Sequence, residues 1–120
     1  MSKVFDDVGM FMRAAGQSTD SDNHQQAKLY QKLISEEYEE FLDAIAVSDD
    51  AETLDACFDM IWVIIGYMKS RGWPCEFAWE EGSNSNMNKI DPDTKTVLRR
   101  EDGKILKPVW WQPPNFGKFV

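Results

Sequence analysis

The sequence predicts a mainly α fold: a four-helix bundle-like domain with a short C-terminal β-hairpin and an extended tail. Three observations lead there. Apolar residues recur at three- and four-residue steps through about the first 90 positions. Capping and breaking residues cut that stretch into four segments. Beyond it the helical period disappears and prolines accumulate. With 120 residues the chain is expected to form one domain, residues 1–120, of which about 1–90 are helical and 91–120 are hairpin and tail.

The elements follow in order. Ser2 to Ala15 reads as an amphipathic helix, with Val4, Phe5, Val8, Phe11 and Met12 at helical spacing. Residues 16–23 are polar turn material. From about His24 to Ala46, Leu29, Tyr30, Leu33, Ile34, Phe41, Leu42 and Ile45 mark a second helix. Ser48-Asp49-Asp50 breaks it, and Asp49 can cap a third helix with Glu52 closing a capping box. That helix runs to about Arg71 and stops at Gly72. Pro74 suits the first turn of a fourth helix, which carries Phe77, Ala78 and Trp79 and loosens over residues 82–88. In the tail, Glu101-Asp102-Gly103 sits between residues 96–100 and 104–107, a pattern that favours a hairpin. Pro108 to Val120 holds three prolines and two tryptophans and is expected to lie extended on its own or a neighbouring subunit.

Composition removes several classes of function. Hydrophobic residues make up 42% and charged residues 28%, which is globular rather than disordered. A formal net charge of −8 excludes a protein that coats a nucleic acid polymer, because neutralising phosphates needs clustered Lys and Arg. Residues 1–16 lack the apolar core of a secretory signal, and no stretch reaches the roughly 20 apolar residues of a membrane span. Cys57 and Cys75 have neither metal-ligand spacing nor a disulfide framework, so a reduced, cytoplasmic setting is expected.

The informative residues are acids placed where a core should be. At about 100° per residue, Lys28, Lys32, Ser35, Glu39 and Asp43 share one side of the second helix, with Glu36 at its edge. Glu37 falls on the opposite, apolar side between Leu33 and Phe41, and Glu40 lies at the border. The third helix is apolar all round from Leu54 to Met68 except for Gly66, Asp55 and Asp59, so it is expected to be buried on every side. Asp55 and Asp59 are one turn apart and share a face. A buried carboxylate must be protonated, paired or metal-bound. Acidic runs such as 36–40 are commonly solvated helix surface, and Arg71, Lys89 or a backbone group can satisfy a core aspartate. Two inward pairs on consecutive helices point instead to a divalent cation, and oxygen-only ligands favour Mg²⁺, with Mn²⁺ an alternative.

At these residues the sequence resembles the all-α nucleoside triphosphate pyrophosphohydrolases, the superfamily of MazG-like proteins, dimeric dUTPases and phosphoribosyl-ATP pyrophosphohydrolase. Their pattern is EExxE on one helix and ExxD on the next, just before an apolar run. Glu36-Glu37-Tyr38-Glu39-Glu40 matches the first part. In the second, Asp59 stands at the family's aspartate and Ala56 three residues before it, so Asp55 is taken as the substitute acid, with Glu52 on the same stripe as its alternative. Ser85-Asn86-Met87-Asn88-Lys89, the segment 100–107 and Pro113-Pro114 resemble a subgroup of phosphoribosyl-ATP-pyrophosphohydrolase-like proteins.

The resemblance implies water attack on a nucleotide phosphate with pyrophosphate leaving. Metal ligands would be Glu37, Glu40, Asp55 and Asp59. The catalytic set would be Glu36, Glu37 and Glu40, with Glu36 or Glu40 orienting the water. Asn86 and Lys89 would contact substrate, although a lysine near a helix end is ordinarily solvated. His24 reads as a surface residue, and Trp79, Trp110 and Trp111 read as packing residues before base-stacking ones. Six consecutive apolar residues, Met60 to Ile65, exceed what one neighbouring helix can cover, so a homodimer or homotetramer is expected. Three functions follow: cleavage of a (deoxy)nucleoside triphosphate, cleavage of phosphoribosyl-ATP, or a silent binding module of the same fold.

Overall fold

The computed structural model describes residues 2–120 and divides the chain into two compact units, Met1–Glu76 and Phe77–Val120. Four α-helices lie among the described residues: α1 (Lys3–Ala14), α2 (His24–Ala46), α3 (Asp50–Ser70) and α4 (Cys75–Met87). The mainly helical expectation holds, with boundaries within two residues for the first three helices. The fourth does not loosen at Gly82 but continues to Met87. No helix among the described residues is long and apolar enough to cross a membrane.

The first unit is α1, α2 and α3. Its core gathers the stripe of α1, Phe5, Val8 and Met12, with Tyr30 of α2 and Val63 and Ile65 of α3. Val8 and Met12 are wholly buried. Helix α2 begins where Asn23 Oδ1 accepts the Gln26 backbone N–H at 3.0 Å, one of the four orphan donors of a helix start. The Asn23 N–H in turn donates to Ser70 O at 2.7 Å, and Gln26 Nε2 donates to the buried Ser70 Oγ at 2.8 Å. The start of α2 is thereby tied to the end of α3. Gly72 follows α3 at φ 70°, and a Cβ there would press on the backbone of Ser21.

At the other end of the pair, Asp49 accepts the Glu52 N–H at 3.1 Å and caps α3. The capping box is only half formed, because the Asp49 N–H donates to Ala44 O rather than to Glu52. That bond closes the short connection from α2 to α3 and sets their antiparallel register.

Helix α3 is not buried on every side. Ala56, Val63 and Ile65 are enclosed, whereas Leu54, Phe58, Ile61 and Ile64 are exposed in the single chain. The reason is geometric: α1 and α2 together cover only part of a helix circumference.

The second unit is the C-terminal part of α4 and the tail. The expected hairpin is absent: one antiparallel bridge, Arg99 to Ile105, is all that forms around the turn at Gly103 (φ 91°). The turn itself is sound, with the Arg100 guanidinium paired to Asp102 and the Arg100 N–H donating to Lys104 O at 2.7 Å. The next ladder bond would run from residue 108 to Thr96 O. Pro108 has no N–H, and Thr96 O already accepts from the Asp91 N–H at 2.8 Å. The pairing stops there. The chain ends in a 3₁₀ turn, Phe116–Phe119.

Gly66 sits where α3 meets α2: a Cβ there would fall within the Tyr30 ring. Gly66→Ala should therefore destabilise the protein by about 1–3 kcal/mol through overpacking, although alanine in a solvated helix position would stabilise it by up to about 1 kcal/mol. Urea unfolding midpoints of the two proteins give the sign.

Candidate metal centre

The rotation of α2 places Glu37 between its apolar neighbours, and the register set at Asp49 brings Asp59 of α3 opposite. Glu37, Glu40 and Asp59 each offer a carboxylate oxygen, and the three lie within 4.8 Å of one another. Glu37 and Asp59 are half-buried, while Glu40 opens to solvent. Glu37 Oε2 is shielded from water and has no hydrogen-bond partner. An orphaned buried carboxylate oxygen needs an explanation, and a site shaped for a cation is one of the few available.

No Lys, Arg or His within 4 Å neutralises these acids among the described residues. Arg71, one of the cations the sequence offered as a partner, instead gives its Nε–H to Asp22 Oδ1 at 2.9 Å and bonds Tyr67 OH at 3.2 Å. Burial, the adjoining Glu40 carboxyl and the charges of Asp59 and Asp55 push Glu37 up to about 7. Burial and the neighbouring Asp55 carboxyl raise Asp59 as well. Three oxygens from carboxylates, no nitrogen or sulfur, and no competing cation fit a hard dication such as Mg²⁺.

The sequence-derived acids divide. Glu37, Glu40 and Asp59 come together. Asp55 lies beside Asp59 but is exposed and outside the three-oxygen group, being one turn nearer the open start of α3. Glu36 and Glu52 are exposed and also outside it. In the second unit, Lys89 Nζ donates to Asn86 Oδ1 at 3.1 Å, near the end of α4. The Trp110 and Trp111 indole N–H groups donate to Asn88 O (2.8 Å) and Ser85 O (2.9 Å), anchoring the tail to that helix end. The sequence shows the tail to be irregular but does not reveal these anchors, because each receptor is a backbone carbonyl. An open cleft of about 550 Å³ lies there, lined by Glu81, Asn84, Ser85, Asn88 and Gln112 among others. His24 is exposed, with Asp22 at 3.4 Å.

The family model for phosphoribosyl-ATP pyrophosphohydrolase matches residues 10–86, spanning both acid-bearing helices. The chain belongs to this family. The family lies within the MazG-like all-α NTP pyrophosphohydrolase superfamily, and the family's chemistry is that of a pyrophosphohydrolase, a hydrolase of acid anhydrides. No curated protein matches the chain. The family match ends at Asn86, so Lys89 and the tail lie beyond it.

The raised Glu37 carboxyl makes stability depend on pH. Between about 4.5 and 7 the folded state holds a proton that the unfolded chain releases, so stability falls as pH rises through that window. In EDTA the wild-type melting temperature should therefore drop from pH 5 to pH 8 more than that of Glu37→Gln. At pH 8 the variant should be the more stable of the two. Thermal melts at both pH values check this.

Proposed function

We propose that this family member is a Mg²⁺-dependent nucleotide pyrophosphohydrolase that cleaves a (deoxy)nucleoside triphosphate to its monophosphate and pyrophosphate. The observation that carries the reading is the convergence of Glu37, Glu40 and Asp59 with no cation within 4 Å to balance them among the described residues. These three would hold the ion, with Asp55 completing the shell, and Mn²⁺ would serve in its place. When bound, such an ion neutralises charge on the phosphate oxygens as the anhydride opens.

The remaining steps fall to the chain's own groups. Glu40 is both within the cluster and open to solvent, so its carboxylate suits orienting the attacking water better than the more remote Glu36. Water adds at the α-phosphorus, the bond to the bridging oxygen breaks, and pyrophosphate leaves with that oxygen. Lys89 would contact phosphate as a point charge and Asn86 sugar or phosphate.

The family's own description favours a second substrate, phosphoribosyl-ATP, which presents the same anhydride. A panel of nucleoside triphosphates and phosphoribosyl-ATP, assayed with Mg²⁺ for pyrophosphate release, decides between them. Glu37→Gln and Asp59→Asn should each lower turnover by roughly 100-fold or more, since a metal site supplies several kcal/mol at the transition state. Full activity in both variants removes the reading.

A homodimer or homotetramer is part of the proposal. Leu54, Phe58 and Ile61 recur at helical spacing on the open side of α3, and Phe58 is 55% exposed. Phe58→Glu should shift the sedimentation coefficient toward that of the monomer. A wild-type protein that already sediments as a monomer would contradict it.

A further inference from the structure

The acids and bases of this chain are not evenly shared. Residues 77–120 hold seven of the thirteen Lys and Arg but only six of the twenty-one Asp and Glu. Within that second unit Arg100 is paired to Asp102 and Lys118 to Glu81. Lys89 and Lys107 have no acid within 4 Å among the described residues, yet both come to the same aromatic ring. Lys89 Nζ stands 5.2 Å and Lys107 Nζ 4.9 Å from the centroid of Trp111.

The ring is fixed. Its indole N–H is held by Ser85 O, and the Ser85 hydroxyl donates to Gln112 O at 2.9 Å, so Trp111 and the residue after it are both tied to α4. Lys89 is further held by Asn86 Oδ1. Lysine stems often cover an indole while the ammonium stays in water. One lysine would need no other account. Two ammonium groups that reach one ring stand within about 10 Å of each other, about one Debye length, so each feels the other's charge, and each cation–π contact at an exposed site is worth only about 0.5–1 kcal/mol. An anion with several adjacent negative oxygens would turn that repulsion into attraction.

We propose that Lys89 and Lys107, carried on Trp111, form a binding site for a condensed phosphate, either free pyrophosphate or the polyphosphate chain of a nucleotide. The proposal rests on the substrate contact assigned to Lys89 above and deepens it. It adds Lys107 as a second phosphate-binding cation and Trp111 as the residue that positions both. Compact ammonium charges on flexible stems suit a polyphosphate, whose charges are spread along a chain.

The test is calorimetric titration of the full-length protein with inorganic pyrophosphate in EDTA, where the carboxylates hold no cation to attract it. Lys89→Gln and Lys107→Gln should each weaken binding roughly tenfold, the effect of one charge-assisted hydrogen bond. Lys107→Arg should restore most of it, and Lys104→Gln, the same charge loss three residues away, should bind like wild type. Trp111→Leu should weaken binding at least as much as either lysine variant. Lys107→Gln binding as tightly as wild type overturns the proposal, as does Lys104→Gln weakening binding equally. With the nucleotide that is turned over, Lys107→Gln should raise KM and leave kcat nearly unchanged. Pyrophosphate binding without turnover of any nucleotide would remove the proposed reaction and keep this site. Turnover with unchanged KM and unchanged pyrophosphate affinity in Lys107→Gln would do the reverse.

Discussion

Crowding of like charge between α2 and α3 is the constraint on which the rest of the first unit depends. Glu37, Glu40 and Asp59 hold oxygens within 4.8 Å of one another in a place only partly reached by water. Such a group would relax apart if the helices could shift. They cannot do so freely, because the pair is pinned at both ends. Near the loop the Asp49 N–H closes on Ala44 O, and at the far end Asn23 and Gln26 bond Ser70. Between these points Gly66 lets α3 approach the Tyr30 ring, fixing the separation. The fold holds the acids together against their repulsion, which is what a cation site requires and what a stability-optimised core would avoid.

Much of this was legible in the sequence because helical rotation is a strong constraint. Glu37 differs from Glu36 and Glu39 only in angle, yet angle alone places it among Leu33, Ile34 and Phe41. The helix boundaries were readable for a similar reason: Asp49, Gly72 and Pro74 each answer a local backbone need. Asp55 shows where that reasoning ends. It shares a face with Asp59, but burial varies along a helix as well as around it, and Asp55 lies toward the exposed end. The all-round apolar character of α3 was read as burial on every side, with a second subunit covering what one neighbouring helix cannot; within the single chain two neighbouring helices leave Leu54, Phe58 and Ile61 uncovered.

The tail was the least legible part. Its turn chemistry was correct, and the turn forms, but a ladder also needs free donors and acceptors beyond the turn. Pro108 lacks the donor, and the acceptor on Thr96 is taken by Asp91. What orders the tail instead is a set of long-range bonds from Trp110 and Trp111 to carbonyls at the end of α4, which leave no periodic trace in the sequence. The converging acids thus belong to the first unit, while the second holds seven of the thirteen Lys and Arg but only six of the twenty-one Asp and Glu.

Direct measurement of metal uptake tests the central claim most closely. Mn²⁺ added to the protein should lose its free-ion electron paramagnetic resonance signal. The fraction bound should rise from pH 6 to pH 8 as the ion displaces the proton that Glu37 holds up to about 7. Glu37→Gln should leave that signal largely undiminished. Wild-type protein at pH 8 that takes up no Mn²⁺, or variant protein that takes it up equally well, would contradict the account.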